Sequence, residues 1–226
     1  SEVRCVSRAA ESAAGASDDL FMGFTDEAEV LESAAVHTTG PRGVFVRDGY
    51  LSLTSANTKQ ERSIIVRGPR MSGHLYFSAS FDLFIGGGTG GENHTGGEGV
   101  SVCLGELPDA PFGETGAGEG LRVLLLTHAE QLEVHYGREL AVRRPVDRDT
   151  FRARRFVPVR VAYGPTGLAV SVDGLELAHD VLLGTWSPLP TWRFGIGART
   201  GEARTDEHLV DNLHLEVGAE VDPRSA

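Results

Sequence analysis

The chain has 226 residues, 40% hydrophobic and 23% charged, with a formal net charge of -11, 29 Gly, 10 Pro and 2 Cys. These totals fit one globular domain able to bury a core without staples, and they exclude disorder and a collagen-like repeat. The excess of acid argues against nucleic-acid binding, which needs Lys and Arg to neutralise phosphate, and no apolar run approaches the roughly 18 residues of a membrane span.

Residues 1–40 are rich in Ala, Ser, Asp and Glu and read as an irregular lead-in that admits a short helix over 26–35. From Tyr50 onward the apolar period becomes two. Strands are predicted at 50–54, 63–67, 74–85, 99–104, 121–127, 131–136, 157–163, 168–172, 175–178, 192–198 and 209–217. Short strands at this spacing, rich in Val, Leu, Phe and Tyr and bounded by turn residues, predict a sandwich or barrel and not a doubly wound sheet. Asp173-Gly174 has the composition of a type I′ hairpin turn, and Gly164-Pro165-Thr166-Gly167 separates two more alternating runs. No helical period persists beyond residue 40 and no internal repeat appears. The expected layout is therefore the lead-in over 1–40, one β-sandwich over 41–218 and a tail over 219–226.

The glycines concentrate at 86–99 and 113–120. Each cluster is read either as a loop admitting a ligand or as a long connection without one. Neither is a phosphate cradle, because no Gly-Lys-Ser/Thr follows.

Phe77-Ser78-Ala79-Ser80-Phe81-Asp82, then the first glycine cluster, Gly97-Glu98-Gly99-Val100-Ser101-Val102, and Gly116-Ala117-Gly118-Glu119-Gly120-Leu121 follow one another in an order that resembles the L-type (legume-like) lectins. Phe194-Gly195-Ile196-Gly197-Ala198-Arg199-Thr200-Gly201 and His208-Leu209-Val210-Asp211-Asn212-Leu213 resemble the closing strands of the same concanavalin A-like, laminin G-like group. The likeness runs from about Phe45 to Val217 and implies an all-β jelly-roll sandwich of two antiparallel sheets, of the kind found in large extracellular proteins. It also implies a carbohydrate site. Glu98 matches the sugar-binding Asp of the family, Gly118 and Gly120 match its second loop, and Thr200, Gly201 and Glu202 match its variable specificity loop. The family's metal-binding strand, by contrast, corresponds to Leu121-Arg122-Val123-Leu124-Leu125-Leu126-Thr127-His128-Ala129-Glu130, with apolar residues at the acid positions. Leucine cannot replace an oxygen ligand, so no metal and no cofactor are expected.

A retaining glycosidase needs two carboxylates about 5 to 5.5 Å apart on one strand face. The nearest candidate has Glu133 and His135 on one face and Glu130 off it. There is no Gly-x-Ser-x-Gly elbow and no zinc-like His/Cys spacing. Cys5 and Cys103 are read either as a disulfide or as free thiols. Asn93-His94-Thr95 is a glycosylation sequon consistent with secretion. The arginines between 138 and 160 are read either as a face for sulfated or carboxylated glycans or as cations paired with the protein's own acids. Trp186 and Trp192 are either a sugar-stacking platform or edge packing.

The expectation is a non-enzymatic, extracellular or cell-surface module for carbohydrate recognition or adhesion, with a glycan or glycoprotein as partner and other domains or subunits of a larger assembly alongside. A structural protein–protein interaction domain and a glycoside hydrolase of the same fold are the alternatives.

Overall fold

The computed structural model describes residues 18–39, 45–71, 74–88 and 98–218. In chain order the elements are β1 (Asp18–Met22), α1 (Glu27–Ser33), β2 (Ala34–Thr38), β3 (Val46–Arg47), β4 (Tyr50–Thr54), β5 (Glu61–Val66), β6 (Tyr76–Gly86), β7 (Gly99–Glu106) and β8 (Glu119–Leu126). They continue with β9 (Gln131–Tyr136), β10 (Glu139–Pro145), α2 (Arg148–Phe151), β11 (Val157–Gly164), β12 (Gly167–Val172), β13 (Leu175–Val181), β14 (Arg193–Arg199) and β15 (Glu207–Gly218). An eight-stranded sheet runs β13-β12-β11-β6-β15-β4-β3, with β1 also paired to β15, and a seven-stranded sheet runs β10-β9-β8-β7-β14-β5-β2. Every pairing is antiparallel. The two sheets make one of the architectures the alternating runs predicted, a sandwich, in the concanavalin A-like jelly-roll form that the resemblance implied.

Alternation makes the core. Phe77, Ala79, Phe81, Leu83 and Ile85 of β6 point inward and meet Val100, Val102 and Leu104 of β7 and Phe194, Ile196 and Ala198 of β14 in one buried cluster. β15 would lose this register at Asn212 if it ran straight. Between Asp211 and His214 it carries one residue more than the facing stretch of β6, and Asn212 takes φ 51°. The bulge keeps both Val210 and Leu213 in the core. At Asp173-Gly174 both residues have positive φ, 53° and 74°, as the hairpin turn requires.

Residues 18–38 are not an irregular lead-in. They add β1 to one sheet and β2 to the other, joined by α1, whose Asp26 cap accepts from the Ala28 N–H at 2.6 Å. β10 also escaped the sequence reading. It is an edge strand exposed on both faces, so its sequence carries Arg143, Arg144 and Pro145 instead of an apolar alternation.

One end of the eight-stranded sheet closes on a buried polar cluster. Arg152, just after α2, forks onto Asp206 with three contacts of 2.9–3.1 Å, and both side chains are buried. The same pair holds Gly88: its N–H donates to Asp206 at 3.2 Å and its carbonyl accepts from Arg152 at 3.3 Å. Thr54 Oγ1 donates to the Asp206 carbonyl at 2.9 Å, which uses its only hydrogen. Its oxygen must then accept from His208 Nδ1 at 2.6 Å, so His208 is the neutral Nδ1–H tautomer. Nε2 of His208 is buried with no partner.

Burial pushes the His208 imidazole down from 6.5 to about 4, against the opposing pull of Asp206. The unfolded chain thus binds a proton below about pH 6.5 that the folded chain refuses until about pH 4, and stability falls with pH through that window. Denaturant titrations should give an unfolding free energy about 2 kcal/mol lower at pH 5 than at pH 7 from this group. His208→Asn should remove that part of the slope; an unchanged slope would refute the assignment. Arg152→Ala should cost about 3–5 kcal/mol at neutral pH, because it strands a buried carboxylate.

Candidate functional site

The start of β7, the turn after β14 and the connection before β5 meet at one end of the seven-stranded sheet. They enclose a pocket of about 480 Å³ that includes Glu98, Thr200, Gly201 and Glu202 together with Lys59, Gln60 and Arg199. Its framework is backbone. Glu98 N–H donates to the Arg199 carbonyl at 3.3 Å, Thr200 N–H to Gln60 at 2.9 Å, Lys59 N–H to Gly201 at 3.1 Å and Gly201 N–H to Arg204 at 2.9 Å. Thr200 Oγ1 donates to the Asn57 carbonyl at 2.7 Å and accepts from the Gln60 N–H at 3.0 Å, so this hydroxyl braces the pocket wall from behind.

The charges in the pocket are arranged unequally. Arg199 is anchored by Glu114, which is almost wholly buried, at 2.6 Å, while its own side chain stays 46% exposed. Lys59 and Glu202 pair at 3.1 Å at the rim, both largely exposed, and a pair of that kind contributes little to stability. Glu98 is the least exposed of the lining acids whose ion pairs are resolved, with 18% of its side chain accessible. Carboxylate acceptors with guanidinium and ammonium donors around one concavity suit a polyhydroxylated ligand, whose hydroxyls donate and accept at once.

Four of the six residues matched to the lectin site therefore come together; Gly118 and Gly120 do not join them. Gly120 pairs with Gly105 and Gly118 lies beside Glu106, both at the far end of β7, which at about 3.3 Å per residue puts them roughly 25 Å from Glu98. Both serve close backbone approach: a Cβ on either would stand 2.3 Å from a carbonyl oxygen of β7. Gly120 borders a larger cavity of about 640 Å³ at that end, walled by Tyr136, Trp192, Leu189 and Glu139. The smaller pocket is the stronger candidate because its polar groups converge on one point from three braced segments.

The segment between β7 and β8 does not stand at the pocket mouth as a loop. It crosses the outer face of the seven-stranded sheet, where Leu107 and Phe112 join Ile65 and Cys103 in a second apolar cluster. Ser101 Oγ donates to the Gly113 carbonyl at 2.6 Å and fastens it there. Cys103 is buried under this segment with no disulfide partner among the described residues; Cys5 and Asn93 lie outside them.

Glu133 and His135 do share a face, as the alternation predicted. Burial opposes the Glu133 charge, yet hydrogen bonds from His135 at 2.8 Å and Arg143 at 2.9 Å prevail and its carboxyl lies below the usual value. Gln131 donates to the same carboxylate at 2.8 Å. A group held as an anion by three donors is unsuited to donate a proton to a glycosidic oxygen. Leu124 and Leu126 occupy that outer face beside Glu133 and Gln131, where the resemblance puts metal-binding acids. Among the described residues no three His, Cys, Asp or Glu side chains gather as a cation would need, so the donors there do not fit the family's metals.

The arginines of 138–160 are dispersed. Arg152 is the buried partner of Asp206, Arg143 serves Glu133, Arg144 caps the carbonyls of Glu176 and Leu177, and Arg155 pairs with Asp173. Trp186 stacks on Tyr163 at 4.2 Å and meets Trp192 edge-on at 5.7 Å, which makes the tryptophans packing and not an open platform.

No protein-family model and no curated protein matches the chain. Solved structures do. The metal-free exoplasmic/lumenal domain of VIP36 superposes with a TM-score of 0.62 at 19% identity, over 84% of this chain and 86% of that one. Lectin I-B4 from Griffonia simplicifolia, also metal-free, gives 0.64 at 13% identity over 88% and 98%. Arcelin-5, a lectin-like defense protein from Phaseolus vulgaris, gives 0.65 at 14% identity over 91% and 99%. The fold is that of the legume-like lectins.

Burial raises the Cys103 thiol to about 11, against the hydrogen bonds of Ala117 and Ser101 and the charge of Arg122. In a Cys5→Ser variant at about pH 8, Cys103 should resist a disulfide reagent in the native protein and react fully in denaturant. Rapid labelling of the native protein would show that the covering segment does not stay closed.

Proposed function

We propose that this domain recognises carbohydrate through the Glu98 pocket, without a metal ion and without catalysis, as an extracellular or cell-surface module. The observation that carries the reading is the convergence of Glu98, Thr200, Gly201 and Glu202 in one braced concavity on a legume-lectin fold. In this reading the Glu98 carboxylate accepts from sugar hydroxyls, and the side chains of Arg199 and Lys59 donate. The apolar face of β8 supports metal independence, since Leu124 and Leu126 supply no oxygen ligand. The bonds around Glu133 support the non-enzymatic half, because they leave that carboxylate no part in proton transfer. A VIP36 structure is described as bound to calcium and mannose, which makes mannosyl glycans a reasonable first probe here.

The test is a glycan array read with calcium and again with excess chelator. Binding should be the same in both, and Glu98→Ala should weaken it about tenfold to a hundredfold, the usual cost of losing a charged acceptor. No binding to any glycan, or binding abolished by chelator, overturns the reading.

A further inference from the structure

Glu98 is held unusually well for a carboxylate at a pocket edge. Its carbonyl oxygen lies 2.9 Å from His128 Nδ1, and a carbonyl only accepts, so Nδ1 carries the hydrogen. The Glu98 carboxylate folds back toward the same nitrogen, with Oε2 at 3.4 Å. On the other side Oε1 rests on Gly201, where a Cβ would stand only 2.2 Å from it. One ring nitrogen thus serves both the main chain and the side chain of Glu98, and a glycine clears the space the carboxylate occupies. Glutamate has one methylene more than the Asp of the lectin pattern, and that methylene lets the carboxylate reach back to the ring.

We infer that His128 is a positioning residue of the Glu98 pocket, fixing the carboxylate before ligand arrives. The inference rests on the proposed glycan reading and adds a residue to it. A free glutamate side chain loses rotamer freedom when it binds, and a carboxylate already confined between His128 and Gly201 has met that cost in folding. His128 sits in the turn after β8, only 30% exposed, and does not line the pocket. Its effect on ligand passes through Glu98.

Immobilised mannosyl and galactosyl oligosaccharides serve as probes for the full chain and three variants. His128→Ala should weaken binding about fivefold to tenfold, the scale of ordering one long side chain. His128→Asn, which places an amide N–H near the Nδ1 position, should recover most of the affinity. Gly201→Ala should weaken binding by displacing Oε1. Melting temperatures within a few degrees of the wild type exclude simple unfolding, and nitrogen-15 NMR should find His128 as the Nδ1–H tautomer at neutral pH. Wild-type binding undiminished in His128→Ala, or an Nε2–H tautomer, overturns this inference alone. A wild type that binds no probe overturns the glycan reading and this inference with it.

Discussion

Asp206 is a carboxylate without solvent exposure, and the arrangement of one whole end of the molecule follows from the need to satisfy it. An isolated charge there would cost several kcal/mol, so the guanidinium of Arg152 and the amide of Gly88 must both reach it. Those partners come from the exit of α2 and the exit of β6, and the Asp206 carbonyl engages Thr54 at the end of β4. Three strand ends and a helical turn are thereby drawn to one point. The turn that leads from β14 into β15 must end there too, which limits where Thr200 and Gly201 can lie.

The alternating runs made most of the sandwich legible, because a strand covered on one face has to show its period. What escaped was edge and entry. β10 buries neither face, and β1 and β2 are short strands in an acidic, alanine-rich stretch where no period stands out. Glycine clustering did not locate the pocket. Gly201, where the Glu98 carboxylate comes close, lies outside both clusters and entered through the resemblance alone, and at Gly118 and Gly120 the close neighbour is the protein's own strand. His128 carried no sequence signal at all, since its partner is thirty residues distant and the contact exists only once β7 and β8 pair. The Asp206–Arg152 pair was hidden among other arginines for the same reason.

In the proposed site the polar side chains divide into supports and contacts. Glu114 and His128 stand behind Arg199 and Glu98, and the groups they hold face the concavity. This resembles a two-layer arrangement in which rigidity comes from side chains that never meet the ligand. Phe112 and its neighbours meanwhile cover the outer face of the seven-stranded sheet around Ile65 and Cys103.

The connection between β6 and β7 is fastened at both sides: Gly88 through Asp206 and Arg152, Glu98 through Arg199 and His128. Residues 89–97 stand between these two anchors in the sequence. Closing a longer loop costs only a slowly rising entropy, about 0.6 kcal/mol for each doubling of length. Because each anchor is held by partners outside this connection, the number of residues joining them is weakly constrained by chain entropy, and the two anchor points stay where the sheets put them.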